Sequence, residues 1–161
     1  MRKTVYLSLG SNLGDREANL GEAIARLAEL GEVTGVSSYY ETEPVDLLAQ
    51  PWFLNCAVAV STEKMPRQLL GALQKIEREM GRRRAQPKGP RVIDLDILLF
   101  GSSVVETAQL TIPHAAMHER RFVLEPLAEI APDARHPVFK RTVRELRDGL
   151  PPGQQVKRSQ K

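Results

Sequence analysis

Asp94 and Asp96 are the side chains best placed to do chemistry, two residues apart in Gly89-Pro-Arg-Val-Ile-Asp-Leu-Asp-Ile-Leu-Leu-Phe100. The run around them reads as a buried strand, in which alternate residues share a face. Both carboxylates then project together, about 6–7 Å apart at their backbone positions. Ile93, Leu95, Ile97 and Leu99 are expected on the opposite face, with Leu98 and Phe100 continuing the carboxylate face. Two like charges ~6 Å apart repel by roughly 3 kcal/mol at an effective dielectric near 20. A divalent cation reverses that cost, and oxygen-only donors suit magnesium. Arg82, Arg83, Arg84, Lys88 and Arg91 lead into the pair. Carboxylates for magnesium beside guanidinium groups for phosphate are the parts of a phosphoryl-transfer site.

Positioning these groups needs a core, and 161 residues suffice for one domain without staples. Hydrophobic residues at 42% and charged residues at 27% fit a soluble globular chain. A net charge of +3 does not mark a general polyanion binder; the basic residues matter through their clustering before Asp94. Cys56 stands alone, so no intrachain disulfide forms and a reducing, cytoplasmic compartment is expected. Within Leu54-Asn-Cys-Ala-Val-Ala-Val60 it reads as a small packing residue rather than a reactive thiol. The start of the chain reaches Gly10 too soon for a signal peptide, and no apolar run approaches the ~20 residues of a membrane span.

Thr4 to Leu9 is expected as a strand, closed by the turn formers Gly10-Ser-Asn-Leu-Gly14. Asp15 can cap a helix carrying Leu20, Ile24, Leu27 and Ala28 on one stripe, with Gly31 as its stop. Val33 to Thr42 reads as one strand broken at Pro44, and residues 45–51 as a loop. Phe53 to Ser61 alternates again, placing Leu54, Cys56, Val58 and Val60 on one face and Phe53 with Asn55 on the other. Pro66 opens a second helix with Leu69, Leu73, Ile76 and Met80 as its buried stripe. Shorter helices are expected over Phe122–Ile130 and Thr142–Leu146. A single domain over 1–150 and a disordered polar tail over 151–161 complete the reading. The order βαββαβ predicts an α+β, ferredoxin-like sandwich: an antiparallel sheet with both helices on one face, plus a C-terminal extension. That fold by itself decides little about function.

Five segments in register resemble the 6-hydroxymethyl-7,8-dihydropterin pyrophosphokinases of folate biosynthesis. They are Leu9-Gly-Ser-Asn-Leu13, Ser37-Ser-Tyr-Tyr-Glu-Thr42, Gln50-Pro-Trp-Phe-Leu-Asn55, the stretch Gly89 to Ile97, and Leu110-Thr-Ile-Pro-His114. The resemblance implies attack of the pterin hydroxymethyl oxygen on the β-phosphorus of ATP, with transfer of pyrophosphate and release of AMP. Asp94 and Asp96 look like the family's magnesium ligands, for two ions bridging ATP oxygens. Arg82 and Arg91 look like the catalytic loop arginines, with guanidinium forks suited to phosphate. The same resemblance gives nucleotide contacts to Arg84, Lys88, Arg91 and Ile97, to Gln74 and Glu77 on the second helix, and to Thr111, His114 and Arg120. It lines the pterin pocket with Thr42, Glu43, Pro44 and Val45, sets Asn55 to read the amide edge, and stacks Phe53 and Phe122 on the ring. No side chain stands out as a general base. A monomer binding ATP and the pterin is expected, with no nucleic-acid or membrane partner.

Several positions depart from the family pattern. Pro87 and Lys88 stand where a basic residue and tryptophan are common, and Glu43 where proline is common. Gln109 and Ala115 replace an arginine and a tyrosine, which leaves fewer side chains for ATP. The bland readings are a solvated basic loop for the arginines, exposed helix positions for Gln74 and Glu77, and core packing for Phe122. Two other functions compete: an RNA-recognition-like module with the same βαββαβ order, and an inactive paralogue that binds pterin or ATP without turnover. The first needs aromatics displayed on the middle strands, where only Phe53 qualifies, and leaves both aspartates facing a polyanion.

Overall fold

The first strand, β1 (Lys3–Ser11), runs past the expected end at Leu9, because Gly10 is paired on both sides rather than turning. The computed structural model describes residues 1–44, 50–81 and 90–159. After β1 come α1 (Arg16–Leu27), β2 (Glu32–Val36), β3 (Tyr40–Thr42), β4 (Phe53–Thr62), α2 (Pro66–Glu79) and β5 (Asp94–Phe100). The rest comprises the short hairpin β6 (Val105–Glu106) and β7 (Thr111–Ile112), a 3-10 turn at Met117–Glu119, α3 (Arg121–Ile130), α4 (Val143–Asp148) and β8 (Val156–Arg158).

All pairings of the main sheet are antiparallel, in the order β5-β1-β4-β3-β8, with β2 also against β4. Ignoring β8, this is the strand arrangement of the ferredoxin-like sandwich. The strand expected over Val33–Thr42 is in fact two. Ser37 interrupts it, and its hydroxyl takes the Ala57 N–H at 2.9 Å in place of a ladder bond.

The helix ends follow local chemistry. Asp15 accepts the Ala18 N–H at 3.1 Å as an N-cap. Pro66 opens α2, and Thr142 with Glu145 forms a reciprocal capping box on α4. The stripe Leu20, Ala23, Leu27 of α1 and Leu69, Leu73, Ile76 of α2 packs on Leu7, Leu9, Leu54, Cys56, Val58 and Ile97. Burying each large aliphatic side chain contributes about 1.5–3 kcal/mol.

The other sheet face carries a second core, in which Val123, Leu124 and Leu127 of α3 meet Ala57, Leu98 and Leu99. Here the sequence reading needs correction. Consecutive Tyr6 and Leu7 of β1 face Leu99 and Ile97 of β5, so Leu98 is an extra residue and the bulge in β5 slips its register. Leu98 and Leu99 therefore both join the α3 core, while Phe100 moves to the α1–α2 core. Residues 151–161, expected as a disordered tail, include β8, whose partner is the edge of β3. Among the described residues no helix is long and apolar enough to cross a membrane.

Candidate active site

One row of cross-strand neighbours organises the site: Asp94 on β5, Gly10 on β1, Asn55 on β4 and Tyr40 on β3. Asp94 and Asn55 are two strand spacings apart, about 10 Å at the backbone. Asp96, opposite Ser8, lies one step along the same face. Beyond Asp96 that face is closed by α3, so the carboxylates lie at the uncovered end of the sheet, both partly exposed. The alternation that makes Leu95 and Ile97 core residues (6% and 5% exposed) turns the aspartates the other way.

Arg91 donates to Asp94 Oδ2 at 3.1 Å, bringing a guanidinium to the carboxylate row. Glu77 is not on an exposed helix face; it is 8% exposed and accepts the Leu95 N–H at 2.8 Å. β5 is an edge strand, so that N–H has no strand partner, and the α2 carboxylate satisfies it between the two aspartates. Glu77 thus fixes the backbone that carries the carboxylate pair. Gln74 is half-buried one turn earlier on α2.

His114 is brought to the same end, held by its own N–H to the Leu98 carbonyl at 3.0 Å. Its Nδ1 accepts the Ala116 N–H at 3.1 Å, which leaves Nε2 as the donor of the neutral ring. Burial and the neighbouring Arg120 charge hold its pKa below the ordinary histidine value, against the pull of Asp94. A neutral Nε2–H donor, near enough to Asp94 and Arg120 to feel both charges, suits a phosphate or ribose oxygen. Arg120 lies 5.5 Å from the Phe122 ring centroid, stacking a cation on the aromatic that opens α3. Thr111 is exposed on β7, and Ile97 has its side chain in the α1–α2 core, away from the carboxylates.

Among the residues expected to line a pterin pocket, Asn55 is 4% exposed. Its Oδ1 accepts the Thr42 hydroxyl, and its Nδ2 donates to the Leu9 carbonyl at 3.2 Å. These bonds fix which way the amide points. A Cβ on Gly10 would stand 2.5 Å from Asn55 Nδ2 and 3.4 Å from Phe53 Cδ1, so glycine is what lets both side chains lie over β1. Pro44 is buried, and Phe53 and Phe122 are half-buried. Glu43 is held by the C-terminal segment, accepting the Gln155 N–H on Oε1 at 3.2 Å. Arg82, Arg84, Pro87, Lys88 and Val45 lie outside the described residues.

Sequence reasoning missed Asn12, which is 2% exposed. Its Nδ2 donates to Gln50 Oε1 at 2.7 Å and to the Pro51 carbonyl at 3.0 Å, while Oδ1 accepts the Arg91 N–H at 2.7 Å. It joins the segment entering β4 to the segment entering β5. The one signal was its place in Gly10-Ser-Asn, read there as turn chemistry.

The donor chemistry fits magnesium: two partly exposed carboxylates on one strand supply oxygen ligands, and magnesium takes its remaining positions from phosphate oxygens and water. Among the described residues no group of three metal-ligating side chains assembles. A two-carboxylate arrangement shared with phosphate is how magnesium is commonly held.

A ferredoxin-like sheet with paired carboxylates, an arginine and a neutral histidine at one end defines a phosphoryl-group transferase. Residues 6–132 match the family described as 7,8-dihydro-6-hydroxymethylpterin-pyrophosphokinase (HPPK), and the chain belongs to it. The 2-amino-4-hydroxy-6-hydroxymethyldihydropteridine pyrophosphokinase of Bacillus subtilis is 52% identical over 132 residues, covering 81% of this chain and 79% of that one. The enzyme of the same name from Aquifex aeolicus is 39% identical over 144 residues, covering 89% and 90%. The crystal structure of wild-type Plasmodium falciparum HPPK-DHPS with pteroate superposes with a TM-score of 0.72 at 18% identity. That likeness bears on the fold; it covers 92% of this chain, which spans 42% of the solved one.

Proposed function

We propose that this chain transfers pyrophosphate from ATP to the hydroxymethyl oxygen of 6-hydroxymethyl-7,8-dihydropterin, releasing AMP, as a step of folate biosynthesis. Family membership supports the pyrophosphokinase class. The observation that carries the reading is the row Asp94–Gly10–Asn55, which sets a phosphate-side carboxylate and a buried, fixed amide about 10 Å apart on one sheet face. That span accommodates a hydroxymethyl group on one side and a polyphosphate on the other.

Asp94 and Asp96 would hold magnesium, two ions in this reading, and bound there it would draw charge from the phosphate oxygens. Arg91, released from Asp94, offers its fork to a phosphate oxygen, joined by Arg82 in this reading. His114 Nε2–H, Arg120 and Thr111 contact the nucleotide, with Gln74, Glu77, Arg84, Lys88 and the Ile97 segment completing that side. Asn55, oriented by Thr42, reads the amide edge of the pterin. Phe53 and Phe122 pack on its faces, and residues 43–45 form the rim. Phosphoryl transfer of this kind rests on positioning and electrostatic stabilisation more than on proton chemistry. A monomeric, cytoplasmic enzyme completes the proposal; the free, buried Cys56 supports its reducing compartment.

The covered second face argues against an RNA-recognition module, because α3 occupies the sheet surface on which bases would stack. The test is a product assay with ATP, magnesium and the pterin. AMP formed in step with the pterin pyrophosphate is the expected result. ADP in place of AMP would mean transfer of the γ-phosphoryl group and would overturn the reading, as would the absence of both products.

A further inference from the structure

Glu43 and the C-terminal segment meet through three hydrogen bonds. The Glu43 N–H donates to the Gln155 carbonyl at 3.0 Å, Glu43 Oε1 accepts the Gln155 N–H at 3.2 Å, and the Glu43 carbonyl accepts Gln154 Nε2. The contact continues the pairing of Thr42 with Val156, Glu41 with Lys157 and Tyr40 with Arg158. Past β8 the Ser159 N–H still reaches the Tyr39 carbonyl at 2.7 Å. Arg158 is tied in turn to Glu129 of α3 at 3.1 Å. The strand is therefore fastened at both ends, by side chains as well as by the ladder.

We propose that this C-terminal strand, gripping Glu43 through Gln154 and Gln155, is a positioning element for the pterin side of the site. The inference rests on the pterin reading of Thr42 and Asn55 given above. The route is short. Residues 154–158 hold β3, the Thr42 hydroxyl of β3 sets the Asn55 amide, and that amide lies over Gly10 in the row that leads to Asp94. β3 has three residues and pairs with only the first three of β4, too little to stay fixed without a second neighbour. Proline at position 43 would lack both the N–H that donates to Gln155 and the carboxylate that accepts from it. Glutamate there and the glutamines at 154 and 155 form one device, and these glutamines lie beyond the family-matched residues 6–132. The same segment, Leu150 to Gln154, also walls a cleft with Arg120 and Arg121, so its seating bears on the start of α3 as well. Glu43 is a positioning residue, not a contact to the reacting atoms.

Glu43→Pro breaks the grip from the site side and Gln155→Pro from the tail side, and neither touches either core. Each is expected to weaken pterin binding, followed by titration of the pterin's own fluorescence, by about fivefold or more for the bonds lost. The KM for ATP should stay unchanged, and hydrogen exchange should quicken at Thr42 and Asn55. Gln155→Ala, which keeps both backbone groups that bond Glu43, should bind pterin as the wild type does. Unchanged pterin affinity in both proline variants would overturn the proposal. An equal rise in the KM for ATP would also overturn it, since it would mark general loosening. If the wild-type chain binds no pterin at all, the functional reading fails and this role fails with it. Unchanged affinity in the variants beside a competent wild type sinks the strand's role alone.

Discussion

Asn12 and Arg91 are joined by a reciprocal pair of bonds: the Asn12 N–H reaches the Arg91 carbonyl at 3.0 Å, and the Arg91 N–H reaches Asn12 Oδ1 at 2.7 Å. The Asn12 amide nitrogen turns the other way, to Gln50 and Pro51. One buried side chain therefore fixes where two segments enter the sheet, one leading to Phe53 and Asn55, the other to Asp94 and Asp96. Asn12→Ala leaves the part-buried Arg91 N–H short of its partner, at roughly 1–3 kcal/mol, while the carbonyl of the exposed Pro51 can turn to water. A loss of about 1–3 kcal/mol in chemical denaturation is expected, with the KM for ATP and for pterin both raised. Asn12→Asp keeps the bond to Arg91 and loses the donors to Gln50 and Pro51, so it should hurt the pterin side more. Equal shifts of the two constants in that variant would count against the two-sided role.

Gly10 and Asn55 give a sharper test of the pterin side. Gly10→Ala gains about 0.4–1 kcal/mol by stiffening the unfolded chain. Against this, the new Cβ would lie 2.5 Å from Asn55 Nδ2, and the amide can move only by giving up Thr42 or the Leu9 carbonyl. Overpacking at about 1–3 kcal/mol outweighs the entropic gain. The variant should be less stable, with pterin affinity reduced and ATP affinity kept. A stabilised Gly10→Ala enzyme with normal pterin binding would show that the amide need not hold its place.

The parts of this arrangement legible in the sequence are those that repeat. Alternation placed Leu54, Cys56, Val58 and Val60 in one core and the aspartates on the other face, and the α2 stripe was where its spacing put it, whereas on α1 the buried small residue is Ala23 and the expected Ala28 is exposed past the helix end. What escaped depends on a partner distant in the chain. The bulge that re-aims Leu99 and Phe100 exists only against β1. Glu77 looks like a solvated helix residue until the edge N–H of Leu95 is opposite it. Residues 156–158 have no strand signal of their own, yet β3 offers them an open edge and Glu129 a charge for Arg158. Asn12 reads as a turn former because its partners lie 38 to 79 residues away.

Asp96→Ala and Asp94→Ala test the metal-side proposal. Each removes a half-exposed carboxylate, so the fold and melting temperature should be little changed. Turnover should fall by about a hundredfold or more, as expected when charge stabilisation worth several kcal/mol is lost. Magnesium titration of ATP binding should flatten in parallel. Near-normal turnover in Asp96→Ala would remove this residue from the proposed ligand set.

Cys56 should be chemically silent in the native state. It is 1% exposed, and burial pushes its thiol up to about 12. Reaction needs the thiolate, so labelling at pH 8 should proceed only through opening of the sheet. The labelling rate should then track global stability, accelerating with denaturant as circular dichroism is lost. Fast labelling in native buffer would mean that β4 opens locally.

Glu129 links the sheet edge to pH. Burial pushes its carboxyl up, but the Tyr40 hydroxyl, the Ser38 N–H and hydroxyl, and the Arg158 charge outweigh that and hold it below the ordinary value. Tyr40 donates at 2.6 Å and Ser38 N–H at 2.9 Å, all to the charged form. The folded state thus binds fewer protons than the unfolded chain across the acid range between the two values. By linkage, this contribution is fully present above the ordinary glutamate pKa and is lost as pH falls through the depressed one. Glu129→Gln should flatten the acid limb of a stability–pH profile while leaving the neutral-to-basic limb parallel to wild type. Protection against hydrogen exchange at Val156–Arg158, measured relative to the intrinsic rate at each pH, should fall on acidification in the wild type, as Arg158 loses its anionic partner. An acid limb identical in the two proteins would place the titrating group elsewhere.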